Sequence, residues 1–196
     1  MNSNSWPRSR VLAISGSVFV LVVAIVIIGV ATGGSAKKTA NPAASSLVIG
    51  PAYAKTLGFA VTVQGVKESS VTESGCTDSV EAVYENSAKK TGFVSDVLLC
   101  KSTKAASAAL VKARKQVIVD SSIHVPGALG TEAFATGSDA PEYLMAWRAG
   151  AKLAIVAIDL DVKATSTSTT TANPPPLSAS EQSTLQRAAL HQNSLY

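Results

Sequence analysis

Histidine is the residue type of this chain best suited to acid–base chemistry, and it occurs at two positions, His124 and His191. His124 precedes a loop that contains Gly127 and Gly130, a place where a general base could stand. The nucleophile motif G-x-S-x-G is absent, so no motif pairs a serine with this histidine. His191 falls among glutamine and asparagine residues, where we expect a solvated polar face. The sequence therefore indicates no catalytic residue.

Carboxylates offer a second kind of chemistry, the binding of a cation. Asp159 and Asp161 are two residues apart, so they lie on the same side of a strand end, and with Asp139 or Glu142 they could hold a cation weakly. We interpret them instead as ordinary charges at strand ends. Two cysteines and two distant histidines make a poor zinc set, and the glycine motifs that bind phosphate or dinucleotides are absent. We expect no metal and no cofactor.

Cys76 and Cys100 are the two cysteines of the chain, and they fall at matched ends of a predicted β-hairpin. Residues 79–85 and 92–99 are rich in valine, leucine and aromatic residues, with a polar turn between them. The midpoint of the cysteines lies in that turn, so the sulfurs should face each other. A disulfide closing this loop of about 25 residues would stabilise the fold by about 3.5 kcal/mol. Because disulfides persist outside the cytoplasm, the pair predicts an extracytoplasmic domain; two unrelated buried thiols are the alternative.

Residues 11–32 form an uncharged and almost entirely apolar run. As a helix the run would be about 33 Å long, enough to cross the roughly 30 Å hydrocarbon core of a bilayer. It exceeds the apolar part of a typical secretory signal peptide, so we favour an uncleaved transmembrane anchor over a signal peptide cleaved near residues 34–36. Positive charges flank both sides of the run, so the cysteines decide the orientation. Residues 1–10 are then cytoplasmic.

The remainder of the chain predicts one extracytoplasmic domain on a tether. Residues 33–50 are rich in glycine, serine, alanine and proline, which is typical of a flexible tether. The domain is expected to span residues 51–196. Within it, residues 163–176 form a low-complexity stretch of threonine, serine, alanine and proline that we expect to be disordered.

Alternating apolar residues predict four strands besides the first hairpin. One covers residues 57–66 and a short one covers residues 131–136. A second hairpin turns at Gly150. Its second strand, residues 153–160, is apolar on both faces, so it should lie in the centre of the sheet.

Two helices complete the predicted domain. The first is capped by Ser102 or Thr103 and runs to about Val117, and the second begins at a capping box formed by Ser178 and Glu181. The resulting order is β-ββ-α-βββ-α. It predicts an α+β fold, a small antiparallel sheet with the two helices packed on one face.

Three stretches resemble exported actinobacterial proteins: GALGTEAF at residues 127–134, LMAWRAGAKLAIVAI at 144–158 and LSASEQSTLQRAALHQNSLY at 177–196. Their layout is similar to that of small lipoproteins and of the extracellular sensor domains of mycobacterial serine/threonine kinases. The chain lacks the acylated cysteine of the lipoproteins and the kinase domain of the sensors. The resemblance implies an envelope domain that binds or senses something. Within the second stretch Trp147 and Arg148 are adjacent in a strand, so we expect Trp147 in the core and Arg148 on the sheet surface.

Basic residues concentrate around the first predicted helix, where no acidic residue occurs between Lys101 and Gln116. The net charge is +4 for the chain and +2 from Lys37 onward, which is too weak to indicate nucleic acid as a partner. The cluster is either a solvated helix face or a site that docks onto anionic lipid headgroups or cell-wall polymer. Its members are Lys101, Lys104, Lys112, Arg114 and Lys115.

These features favour a membrane-anchored module that binds, senses or contacts the cell envelope without catalysis. Its expected partners are the membrane, an anionic lipid or wall polymer, and an envelope protein. Two alternatives stay open: an envelope hydrolase or transferase with an unrecognised site, and an accessory subunit of a membrane complex. An enzyme should place His124 within hydrogen-bond reach of a nucleophile, whereas a ligand-binding module should contain an apolar pocket between sheet and helix.

Overall fold

The computed structural model describes residues 38–39, 45–73, 75–117, 119–137, 142–160 and 177–196. The predicted cytoplasmic residues 1–10, the predicted anchor at 11–32 and the predicted disordered loop at 163–176 lie outside these described residues. Across the described ranges, no helix is long and apolar enough to span a membrane.

The described residues form a seven-stranded antiparallel sheet and three α-helices, which confirms the α+β class. The predicted order β-ββ-α-βββ-α is confirmed, with one short strand and one short helix added in front of it. In chain order the elements are β1 (Lys38–Thr39), α1 (Pro51–Thr56), β2 (Val61–Glu73), β3 (Cys76–Asn86), β4 (Thr91–Cys100), α2 (Thr103–Gln116), a 3-10 turn (Gly127–Leu129), β5 (Phe134–Gly137), β6 (Glu142–Ala149), β7 (Lys152–Leu160) and α3 (Ala179–Asn193).

The strands are arranged in the order β1-β2-β3-β4-β7-β6-β5. Strand β7 therefore lies between β4 and β6, in the interior position that its apolar sequence predicted. Both predicted hairpins are present, and Gly150 supplies the turn between β6 and β7 with a φ of +60°, a backbone conformation that glycine adopts readily. The first predicted strand differs from its prediction, because Leu57 and Gly58 form a turn after α1 and β2 begins at Val61.

The two long helices lie on opposite faces of the sheet, so the prediction that both pack on one face is wrong. Ile155 of β7 belongs to the same buried cluster as Leu110 of α2, whereas its neighbour Val156 belongs to the cluster of Leu185 of α3. Successive side chains of a strand point to opposite faces. Since β7 is apolar on both faces, each face of the sheet needs its own helical cover.

Part of the stretch predicted as a tether, residues 33–50, belongs to the fold. Ile49 is fully buried, its N–H donates to Ser95 Oγ at 2.9 Å, and its carbonyl accepts from the Tyr84 hydroxyl at 2.6 Å. Upstream of it, β1 pairs with β2. The domain boundary predicted at residue 51 is therefore too late. The prediction missed this segment because its short apolar run lies inside a polar stretch. Such a run is a weak signal in the sequence, although its burial attaches the segment firmly to the core.

Candidate interaction surface

Helix α2 carries the predicted basic cluster, and its local sequence explains why it forms there. The side chain of Ser102 caps the helix by accepting a hydrogen bond from the backbone N–H of Ala105 at 3.1 Å. One side of the helix is apolar at three- and four-residue steps, and this side packs on the sheet. The buried residues are Ala106, Ala109, Leu110 and Ala113.

The opposite side of α2 presents a mixed basic and apolar stripe to solvent. Lys104, Ala108, Val111 and Lys115 follow one another at steps of four, three and four residues, so they lie along one line of the helix. Val111 is 44 % exposed, and lysines stand at both ends of the stripe. The five predicted basic residues are all exposed, and together we call them the basic surface: Lys101, Lys104, Lys112, Arg114 and Lys115.

A shallow depression lies beside α2, and its lining includes Val111 and Arg148. Arg148 is held there by an ion pair with Glu132. Arg148 Nε donates to Glu132 Oε2 at 2.8 Å, and Ser107 Oγ donates to Glu132 Oε1 at 3.0 Å. These hydrogen bonds, that from Arg148 first, lower the pKa of the Glu132 carboxyl. Arg148 thus lies on the α2 face of the sheet, away from the core position of Trp147, which is 0 % exposed. Both orientations agree with the prediction.

The cysteines take the positions predicted for a disulfide. Cys76 and Cys100 are partners in the β3–β4 register, and their sulfurs are 2.05 Å apart. The turn before Cys76 contains Gly75 with a φ of +86°, and a Cβ at Gly75 would lie only 3.0 Å from that of Ala105 in α2. A hydrogen bond of 2.8 Å from the Lys101 N–H to the Gly75 carbonyl joins the same two segments. The β2–β3 turn is therefore packed against the start of α2.

Among the described residues, neither histidine ring is hydrogen bonded to a nucleophilic side chain, and the side-chain hydrogen bonds to both histidines are accepted by their backbone carbonyls. His124 is exposed, and the contact that involves it among the described residues is made by its backbone carbonyl, which accepts from Gln186 Nε2 at 3.0 Å. The expectation of a solvated His191 is met only in part, because the side chain is partly buried. Its ring stacks on that of Tyr53, with centroids 3.5 Å apart, and burial lowers the pKa of the imidazole. Tyr53 comes from α1, which the sequence had not predicted.

Of the four carboxylate residues considered for a cation site, two belong to the described residues. Asp159 and Glu142 are directly opposite each other in the β6–β7 register. Asp139 and Asp161 lie outside the described residues. Over the ranges that the structure describes, no group of three or more metal-ligating side chains is assembled.

A small cavity lies between α1, the β3–β4 turn and the start of α3. Its volume is about 90 Å³, and its walls include Phe59, Asn86, Ile158 and Glu181. Sites for small organic ligands usually enclose 300–1,000 Å³. This cavity is therefore too small for such a ligand.

A buried polar network is the feature that sequence reasoning missed. Ser95, Gln192 and the backbone carbonyl of Asp96 are joined by hydrogen bonds in the core beneath α3. A signal was present, because Gln192 follows Leu185 by seven residues and Ala188 by four, which is the spacing of the buried face. A polar residue at a core position of a helix indicates a buried partner.

Comparison of the chain with protein-family models and with curated proteins gave no match. The resemblance to exported actinobacterial proteins stays a prediction.

Proposed function

We propose that this chain is a single-pass membrane protein whose extracytoplasmic α+β domain is a non-catalytic binding module for an anionic surface of the cell envelope. The observation that carries the proposal is the basic surface of α2. Five exposed cations, with an exposed apolar pair between Lys104 and Lys115, face solvent on a helix whose other side is fixed to the sheet. Each cation held near an anionic membrane surface contributes about 1 kcal/mol.

The placement of two of these cations is not explained by helix stability. The N-terminal end of a helix carries a partial positive charge, so anions stabilise it and cations weaken it. Lys101 and Lys104 stand at this end of α2, and the first turn contains no acidic residue. Arg114 and Lys115 occupy the last turn, where cations are favourable. A function in binding anions accounts for the first pair, whereas stability accounts only for the second.

The disulfide-compatible cysteines and the apolar run at residues 11–32 support the proposed location. The first favours an oxidising compartment and the second a membrane anchor. An envelope hydrolase or transferase is the competing function, and an accessory subunit of a membrane complex is the third. The enzyme hypothesis needs His124 beside a nucleophile, and the contacts of His124 among the described residues include none.

Lysine footprinting of the full chain tests the proposal. A membrane-impermeant acylating reagent is applied to intact spheroplasts and, in parallel, to the detergent-extracted protein, and acylation of each lysine is read by mass spectrometry. We expect Lys104, which lies in the basic surface, to react more slowly in the envelope than in detergent. Lys55, which is exposed on α1 at the other face of the sheet, serves as the internal control and should react equally in both. Equal reaction of all lysines in both states would contradict the proposal.

A substitution separates the binding module from the enzyme. His124→Ala should leave the cellular role of the protein intact, because His124 has no part in the basic surface. The combined variant Lys104→Glu, Lys112→Glu and Lys115→Glu should impair it. Complementation of a deletion strain is the measurement, with immunoblotting to show equal amounts of protein. Loss of complementation with His124→Ala in a chain that still folds would favour the enzyme.

A further inference from the structure

The pairing of β1 with β2 fixes the end of the sheet at which the chain enters the domain. Lys38 is the partner of Glu68 and Thr39 is the partner of Lys67, in antiparallel register. Following the chain backwards from Thr39 to Lys38 therefore moves along β2 towards Glu73, where β2 ends. At Lys38, strand β1 therefore points back towards this end of the sheet.

The same end of the sheet carries the start of the basic surface. Strand β3 begins there at Cys76, which is the register partner of Cys100 at the end of β4. Lys101 follows directly and is hydrogen bonded to Gly75, and α2 begins two residues later. We call this the entry end of the domain. Lys101 and Lys104 are exposed at it.

We propose that the domain rests on the membrane with its entry end, and that Lys101 and Lys104 contact the headgroups of anionic phospholipids. This inference rests on the proposed function, because it needs the anchor at residues 11–32 in the membrane. Between Thr32, where the predicted anchor ends, and Lys38 the chain can extend to at most about 22 Å. Lys38 pairs with Glu68, which lies five residues, or about 17 Å, before the end of β2 at Glu73. Most of the 22 Å is therefore needed to pass the entry end, which is held close to the bilayer surface.

Distance along α2 separates this orientation from one in which the helix lies flat on the membrane. Lys112 and Lys115 follow Lys104 by eight and eleven residues, which is about 12 and 17 Å along the helix axis. The Debye length at physiological ionic strength is about 8 Å. If the entry end rests on the membrane, Lys101 and Lys104 experience the attraction of the headgroups, whereas the lysines farther along the helix are largely screened from it.

Two of the carboxylates near the entry end accept hydrogen bonds within the protein. Glu132 pairs with Arg148, and Asp78 accepts a hydrogen bond from the Thr77 hydroxyl at 2.8 Å. The Cys76 and Cys100 pair and the Gly75 contact with α2 hold the lysines in place relative to the sheet. The contact is therefore made by a fixed surface of the domain.

The test uses the full chain in lipid nanodiscs, one set made of phosphatidylcholine and the other containing phosphatidylglycerol. Acylation of Lys101 and Lys104 should be about fivefold slower in the anionic discs, the change that corresponds to about 1 kcal/mol per cation. Lys112 and Lys115, exposed on the same helix, should react at the same rate in both. Salt at about 1 M, where the Debye length is about 3 Å, should remove the difference.

A charge-matched pair of variants gives a second readout. Energy transfer from Trp147 to a dansyl lipid, in a Trp6→Phe background, reports how closely the domain approaches the bilayer. Lys101→Glu with Lys104→Glu should abolish the gain in transfer on anionic discs, whereas Lys112→Glu with Lys115→Glu, the same change in charge, should keep it.

Three results would overturn the orientation. They are equal slowing of all four lysines, slowing that is the same on neutral discs, and no slowing at all. Carbonate extraction of membranes distinguishes a failure of this inference from a failure of the proposed function. If carbonate releases the chain, the chain lacks the anchor and both proposals are overturned. If the chain is retained but Lys101 and Lys104 are not slowed more than Lys112 and Lys115, the orientation alone is overturned.

Discussion

Ser95 and Gln192 lie 97 residues apart in the chain and are joined by a hydrogen bond of 2.7 Å, donated by Ser95 Oγ to Gln192 Oε1. Both residues are fully buried. Ser95 Oγ also accepts from the Ile49 N–H, while Gln192 Nε2 donates to the Asp96 carbonyl and to the Tyr196 hydroxyl, each at 2.9 Å. The pair thus ties the sheet, α3 and the segment before α1 together at one point in the core.

Loss of either member of this pair should destabilise the domain. Gln192→Leu or Ser95→Ala leaves buried polar partners without a hydrogen bond, which costs about 1–3 kcal/mol. The double variant should lose less than the sum of the two single losses, because the two residues share one bond. Chemical unfolding of the full chain in detergent measures the free energies. Ser121→Ala, at an exposed serine, is the control and should change stability by less than about 0.5 kcal/mol. Additive losses would show that the two residues act independently.

Removal of either cysteine should lower stability by a similar amount. Cys76→Ser and Cys100→Ser each break the same cross-link, which contributes about 3.5 kcal/mol for a loop of this length. The double variant should therefore cost about as much as each single one. Thiol labelling of the unreduced, denatured protein is the direct check. Two free thiols per chain in that assay would refute the disulfide.

The stacked histidine predicts a loss of stability in mild acid. Burial lowers the pKa of His191 in the folded state, whereas the imidazole of the unfolded chain titrates near 6.5. Between these two values the unfolded state binds more protons, so the free energy of unfolding falls as the pH drops below about 6.5. His191→Phe keeps a ring against Tyr53 and should flatten this part of the profile.

Unfolding curves collected from pH 7.5 to pH 5 provide the measurement. His124→Gln, at an exposed histidine that stacks on no ring among the described residues, should retain the slope of the unsubstituted protein. An unchanged slope in His191→Phe would mean that another group controls the acid response.

The proposed topology predicts a defined pattern of proteolysis. Protease added to intact spheroplasts should digest the domain and leave a small membrane-bound fragment that contains residues 1–32. Untreated cells should release no free domain into the medium. Release of the whole domain without protease would reveal a cleaved signal peptide, and full resistance would place the domain on the cytoplasmic side.

Local signals predicted most of the regular elements. The capping box of Ser178 and Glu181 is present as expected, with the Ser178 N–H donating to Glu181 Oε2 at 2.9 Å. The cysteine positions predicted the register of β3 and β4 because matched cysteines define a hairpin midpoint. These features depend on neighbours close in sequence, and their physical cause can be read from spacing alone.

Features that depend on contacts between distant segments were not predicted from the sequence. Helix α1 has six residues, too few for an amphipathic pattern, yet it places Tyr53 against His191. The burial of Ile49 depends on Ser95 and Tyr84, which lie more than thirty residues away. Such contacts stabilise only the assembled core, so they leave little trace in local composition.

By itself, the sequence determined the α+β class, the hairpin that brings the cysteines together, the interior position of β7 and the clustering of cations on one helix. Each follows from periodicity or spacing along a single segment. Only the tertiary structure decided that α2 and α3 cover opposite faces, that Ser95 meets Gln192, and that β1 runs along β2 with Lys38 nearer than Thr39 to the end of the sheet where Cys76 pairs with Cys100. The physical reason is that strand order and helix placement are set by the burial of both sheet faces at once, a condition that no single segment contains.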